Sequence, residues 1–250
     1  MSLEQIIISS VCFFLIATLY SSVGHAGASG YLAVMTFMSF SSTIIKPASL
    51  ILNILVSLIA SYKYIREKYY NWEVFWPFVI TSMPFAFIGG YLNVDEKNFK
   101  IIAGIFLIIS SIFLIAKGHI IKNPDNIKKM PKLAALIIGA AVGFFSGIIG
   151  VGGGIFLSPI LILLCWASAK EASGIAAVFI LLNSITGLIG KIYAVGEIPL
   201  HLLSFSIPSV VVGGIIGATL GTKILNKKII LTILSVVLFS AGIKMLFIIF

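Results

Sequence analysis

The groups able to do chemistry in this chain are few, and most gather at two interruptions of apolar sequence. One is Gly147-Ile-Ile-Gly-Val-Gly-Gly-Gly-Ile-Phe-Leu-Ser-Pro159, which holds Gly150, Gly152, Gly153 and Gly154. The other is Gly24-His-Ala-Gly-Ala-Ser-Gly30, which holds Gly24, His25, Gly27 and Ser29. Each glycine lowers helix propensity by about 1 kcal/mol relative to alanine, and Pro159 lacks a backbone donor. Lipid cannot hydrogen-bond the peptide groups that such a break releases. Irregular backbone at membrane depth must therefore be buried in protein or line a wet cavity. Where a helix restarts, its first N–H groups lack acceptors and carry the positive end of the helix dipole. Successive glycine N–H groups also form nests that hold anions. The chemistry on offer is the binding of a small anion. The same glycines also suit close helix packing; their occurrence in two places, with Pro159, tips the balance to a site.

Other polar residues flank these breaks. Lys46 and Lys170 each precede an Ala-Ser pair, and two readings stand for them: cations near two entrances, or interfacial lysines snorkelling at helix ends. Ser49 and Ser173 follow one turn later, with Asn53 on the Ser49 face at i+4. Their short side chains suit an oxyanion, or a bond back to their own helix. Asn183 and Thr186 are weaker candidates of the same kind. His25 offers a hydrogen bond or a proton, or a cap for freed carbonyls. Pro84 and Pro208 are possible kinks. Acids within the spans are nearly absent, Glu73 and Glu171 sitting at segment edges, no ligand set for a metal is evident, and no cofactor is expected. Cys12 and Cys165 suggest packing rather than a disulfide.

The elements that must position these groups follow from composition. Of 250 residues, 60% are hydrophobic and 10% charged, and the mean hydropathy is +1.16. A soluble domain is about a quarter charged, so the chain reads as an all-α polytopic membrane protein. The formal charge of +9 lies in loops, which points to a membrane surface and not to nucleic acid. Apolar segments run over 5–23, 29–40, 47–61, 73–92, 98–116, 133–149, 153–167, 172–190, 199–221 and 229–250. A crossing needs about 20 residues. Eight segments are therefore read as full spans, and 29–40 and 153–167, each directly after a glycine break, as re-entrant or crossing arms, up to ten in all. The N-terminal segment has Glu4 and no early cation, and is expected to be a retained helix.

Loops 62–70, 117–132 and 222–228 carry 11 of the 17 cations and are assigned to the cytoplasm. Loops 93–100 and 191–198 balance to zero and are assigned outside. Ser82-Met-Pro84-Phe-Ala-Phe-Ile-Gly89-Gly90 matches Ser206-Ile-Pro208-Ser-Val-Val-Val-Gly213-Gly214 at an offset of 124, and Lys46 meets Lys170 at the same offset. The chain reads as two repeats, 1–121 and 122–250. Equivalent loops carry opposite charge bias, so the repeats are expected upside down relative to each other with both termini outside. Inverted repeats around broken helices are a secondary-transporter design.

Gly150-Val-Gly-Gly-Gly-Ile-Phe-Leu-Ser-Pro159, the degenerate N-terminal copy and the duplication resemble the sulfite exporter TauE/SafE family of membrane permeases, over essentially the whole chain. Gly24-His-Ala-Gly-Ala-Ser-Gly-Tyr-Leu-Ala33 is similar to a subgroup whose first motif reads Gly-His-Gly-Gly, with Ala26 here in place of one glycine. The resemblance implies transport of a small sulfur-containing anion, such as sulfite or an organosulfonate, across the cytoplasmic membrane. The candidate binding set is Gly24, His25, Gly27, Ser29, Ser49, Asn53, Gly150, Gly152, Gly153, Gly154 and Ser173, with Lys46 and Lys170 as electrostatic partners. A passive anion channel using the same helix ends is the alternative, and a thiol-based enzyme is disfavoured because no acid–base–nucleophile set converges. Oligomeric state, coupling ion and direction are not written in these residues.

Overall fold

Uninterrupted apolar sequence in a bilayer has few backbone solutions. The helix pairs its N–H and C=O groups within the segment, and the described apolar segments adopt it. The computed structural model describes residues 3–22, 25–119, 127–195, 198–220 and 227–247, and among them there are ten helices and no strand. In order these are α1 (Leu3–Ser22), α2 (Ala28–Phe37), α3 (Ser42–Arg66), α4 (Trp72–Tyr91), α5 (Glu96–His119), α6 (Lys132–Ile149), α7 (Gly154–Leu163), α8 (Ala169–Val195), α9 (Leu200–Leu220) and α10 (Lys227–Phe247). Seven of them, α1, α3, α4, α5, α6, α8 and α9, are long and apolar enough to cross a membrane by length and composition. Helices α2 and α7 have 10 residues each, about 15 Å at 1.5 Å per residue, or half a hydrocarbon core. Helix α10 has 21 residues over Lys227–Phe247.

Two boundaries differ from the sequence expectation. Helix α3 starts five residues before Pro47, after an extended Ser41, and Glu96 accepts hydrogen bonds from the Ser42 N–H and hydroxyl at that start. Helix α8 continues to Val195. The exterior loop expected to begin at 191 is therefore helical there, and Lys191 projects from a helix. Among the loops, Asp95 accepts from the Asn98 N–H and side-chain amide ahead of α5, and those bonds hold its carboxyl below the usual carboxylate range.

Packing runs along rows of small residues, which let backbones approach closely without a hydrophobic drive between helices. Gly139, Gly143 and Gly147 of α6 lie against Phe78, Ser82 and Ala86 of α4, so these two helices run parallel. Helices α1 and α9 also run parallel, with Gly213 against Phe14 and Gly217 against Thr18. Gly89 and Gly90 abut Phe144 and Gly187, while Gly213 and Gly214 abut Phe14 and Val56. The Gly-Gly pairs that follow Pro84 and Pro208 thus serve close packing in both helices. By contrast, α3 and α8 run antiparallel. Leu50 lies by Gly187, Asn53 bonds Ser184, and Tyr64 lies by Gly174. Helices α5 and α10 are antiparallel too, Gly104 meeting Leu246 and Ile108 meeting Gly242. Exchanging the first five helices for the last five carries the α4–α6 contact onto α9–α1, α4–α8 onto α9–α3, and α2–α10 onto α7–α5.

The two ends of the bundle differ in charge. Lys63 donates to the Ala218 carbonyl, Lys170 Nζ to Tyr69 Oη at 3.0 Å, and Lys132 sits over the Trp76 ring, all at one end. The other end carries the Lys100–Glu96 pair and Lys244, which donates to the Phe37 carbonyl at 2.7 Å. Trp72 and Tyr62 at the first end, and Tyr91 and Tyr193 at the second, are exposed, as interfacial aromatic anchors are. After the second break, the chain returns to the end where α6 began. Trp166 stacks near Phe78 with ring centroids 6.3 Å apart, and Cys165 O accepts from the Lys128 N–H at 2.7 Å.

Candidate anion-binding site

The second break is built from backbone that only glycine adopts without strain. Gly150, Gly152 and Gly153 have φ of 88°, 76° and 75°, left-handed values that cost an L side chain about 1–2 kcal/mol each. Gly150 ends α6 by donating to Ser146 O at 2.8 Å. Gly153 begins α7, and no side chain caps that start. The first N–H groups of α7 are thus left without a capping side chain. From Gly150 to Gly154 every residue is buried.

Asn53 reaches this break from the middle of α3. Its Nδ2 donates to Val151 O at 3.1 Å and to Ser184 Oγ at 2.9 Å. A Cβ at Gly152 would meet Asn53 Nδ2 at 2.5 Å and Ser184 Oγ at 2.7 Å, so space as well as φ demands glycine. Asn53 Oδ1, Ser49 Oγ and Ser146 Oγ are buried without a hydrogen-bond partner. Each such group forfeits about 1–3 kcal/mol unless something binds it.

One buried lysine stands beside the break, and a second faces that lysine from α8. Lys46 is 4% exposed, its backbone lies against Gly150, and its Nζ donates to Gly89 O, Gly90 O and Leu92 O at 3.0, 2.9 and 3.4 Å. It thereby serves the carbonyl end of α4, where the helix dipole is negative. Lys191, 8% exposed on the facing α8, is close enough for the two charges to act on each other. Among the described residues these are the only buried charged side chains, with no carboxylate.

The first break is packed differently. Gly24 lies outside the described residues. Gly27, with φ of 100°, begins α2 with no side-chain cap. Ser29 Oγ is held by Tyr20 Oη at 2.8 Å, and Tyr31 Oη donates to Ala26 O at 3.1 Å. His25 is buried, its N–H donates to Tyr20 O at 2.9 Å, and its Nε2 lies 3.4 Å from Ser158 Oγ on α7. That last contact joins the first break to the helix that follows the second.

The structure therefore gathers Lys46, Ser49, Asn53, Gly150, Gly152, Gly153 and Gly154 in one place, with His25 approaching through Ser158. It puts Lys170 and Ser173 at the other end of the α3–α8 pair. Lys170 is solvent-facing on Tyr69, and Ser173 donates to Ala169 O at 3.0 Å beside Tyr64. Asn183 and Thr186 bond back to Phe179 O and Leu182 O of their own helix. Sequence reasoning missed Lys191, Ser184 and Ser146. Ser184, Gly187 and Lys191 share a helical face at i, i+3 and i+7, a signal obscured by placing Lys191 in a loop.

An all-helical bundle with interrupted spans and a buried, cation-flanked break is a polytopic membrane transporter. The chain belongs to the family described as Sulfite exporter TauE/SafE, whose model matches residues 10–245. It is 37% identical over 240 residues to the probable membrane transporter protein y4hK of Sinorhizobium fredii, covering 95% of this chain and 96% of that one. It is 34% identical over 186 residues to the probable membrane transporter protein MJ0441 of Methanocaldococcus jannaschii, covering 69% and 66%. The probable membrane transporter protein YunE of Bacillus subtilis is 28% identical over 217 residues, covering 80% and 79%. No solved structure matches the chain.

Proposed function

We propose that the chain is a secondary permease moving a small sulfur-containing anion, sulfite or an organosulfonate, across the cytoplasmic membrane. The observation that carries this reading is the uncapped start of α7 at the second glycine break, with the unpartnered Asn53 Oδ1 and Ser146 Oγ on residues that touch the break, buried Lys46 against Gly150, and no buried acid among the described residues. Positive helix-end potential and desolvated ammonium groups both favour negative charge, and low dielectric strengthens them. The family's description supports the sulfur chemistry.

The two repeats, 1–121 and 122–250, form an inverted pair in this reading. Antiparallel contact of α3 with α8, and of α5 with α10, supports it, because counterparts related by an axis in the membrane plane must oppose each other. The basic loops at one end would be cytoplasmic, which leaves both termini outside. Rocking of one repeat on the other exposes the break alternately.

Solute counterflow into liposomes carrying the purified protein tests the proposal. Saturable, sulfite-stimulated exchange is expected. Flux of other solutes with none of sulfite or sulfonates would remove the substrate assignment, and non-saturating conductance would make the protein a channel.

A further inference from the structure

We infer that the site selects sulfonates that carry a hydroxyl donor of their own, and that Asn53 is the residue that reads that hydroxyl. This deepens the anion-permease reading and rests on it. Helix-end N–H groups can satisfy a sulfonate, but they only donate. Asn53 adds an acceptor in the same place. It is 1% exposed, its Nδ2 is committed to Val151 O within the break and to Ser184 Oγ, and its Oδ1 has no partner. The amide orientation is fixed by that first bond, since a flipped amide would set Oδ1 against the Val151 carbonyl, acceptor on acceptor. Oδ1 is thus a buried acceptor held by a rigid donor pair beside the start of α7. One helical turn earlier on the same face, Ser49 Oγ is also buried and unpartnered; it can pass a hydrogen bond in either direction.

A ligand that only accepts leaves Oδ1 orphaned, and a site with a buried orphan discriminates against that ligand. A donor on the ligand cures this. An ammonium donor would be repelled by Lys46 and Lys191, so the matching donor is a hydroxyl on a singly charged sulfonate.

The test compares 2-hydroxyethanesulfonate with propane-1-sulfonate, equal in charge and close in size, as competitors of exchange by the full chain in liposomes. The hydroxy compound is expected to compete at least about tenfold more effectively. Asn53→Leu is expected to bring the ratio near one, whereas Ser173→Ala, at the far end of the α3–α8 pair, preserves it. If Asn53→Leu does not fold, the wild-type ratio still decides. Equal competition by the two sulfonates would overturn this inference while leaving the anion permease standing. Exchange of other solutes without competition from any sulfur anion would overturn both.

Discussion

The two glycine breaks have similar backbones and differ in what surrounds them. At the first, Tyr20 holds Ser29 and Tyr31 holds Ala26 O, and among the described residues Ser21 Oγ at the end of α1 is the one buried unpaired group near it. The second is flanked by groups left wanting, with Asn53 Oδ1, Ser49 Oγ and Ser146 Oγ unpaired and buried Lys46 alongside. The equivalent lysines differ in the same way. Lys46 is buried on three carbonyls, while Lys170 faces solvent on Tyr69. Both breaks begin a short helix without a side-chain cap, and what sets them apart is their polar neighbours.

Glycine substitution should separate the breaks most sharply. Gly152→Ala puts a side chain at φ 76° and into Asn53 and Ser184. Exchange should fall at least about 100-fold, from the displaced Asn53 and a strain of about 1–2 kcal/mol. Gly27→Ala meets only the far end of the Tyr31 ring, at 3.0 Å, and should keep more than about a tenth of the activity despite similar strain. Counterflow of both variants measures this. Equal losses would mean the breaks are functionally alike.

The lysine pair comes next. Lys46→Met strands the Gly89, Gly90 and Leu92 carbonyls and should lower stability by about 2–4 kcal/mol in thermal or denaturant unfolding in detergent. Lys170→Met removes a solvent-facing contact and should stay within about 0.5 kcal/mol. The smallest effect is expected from the serines. Ser49→Ala should weaken substrate binding by about three- to tenfold in a stability-shift titration, the loss of one hydrogen bond. Ser173→Ala, whose hydroxyl already bonds Ala169 O, should leave binding unchanged.

Much of this was legible before the fold. Long apolar runs marked seven helices that are long and apolar enough to span, of the eight expected, and glycine density placed the end of α6 and the starts of α2 and α7 within a residue or two, because backbone conformation is local physics. The i, i+4 spacing alone puts Ser49 and Asn53 on one face of α3, and both are buried there. Lys191 was missed, since a cation near the end of an apolar run reads as a loop residue, and only the antiparallel α3–α8 contact shows it facing Lys46. Neither could the sequence tell Lys46 from Lys170. The difference is made by the end of α4, whose carbonyls draw one lysine inward, and that depends on packing between segments far apart in the chain.

Substrate protection of single cysteines asks most directly which break holds the anion. In a Cys12→Ala, Cys165→Gly background, chosen because Cys165 has φ of 56°, Ser49→Cys and Ser29→Cys are alkylated with and without hydroxyethanesulfonate. Slowed alkylation at position 49, with no change at position 29, is the predicted result; protection at position 29 with none at position 49 would contradict it.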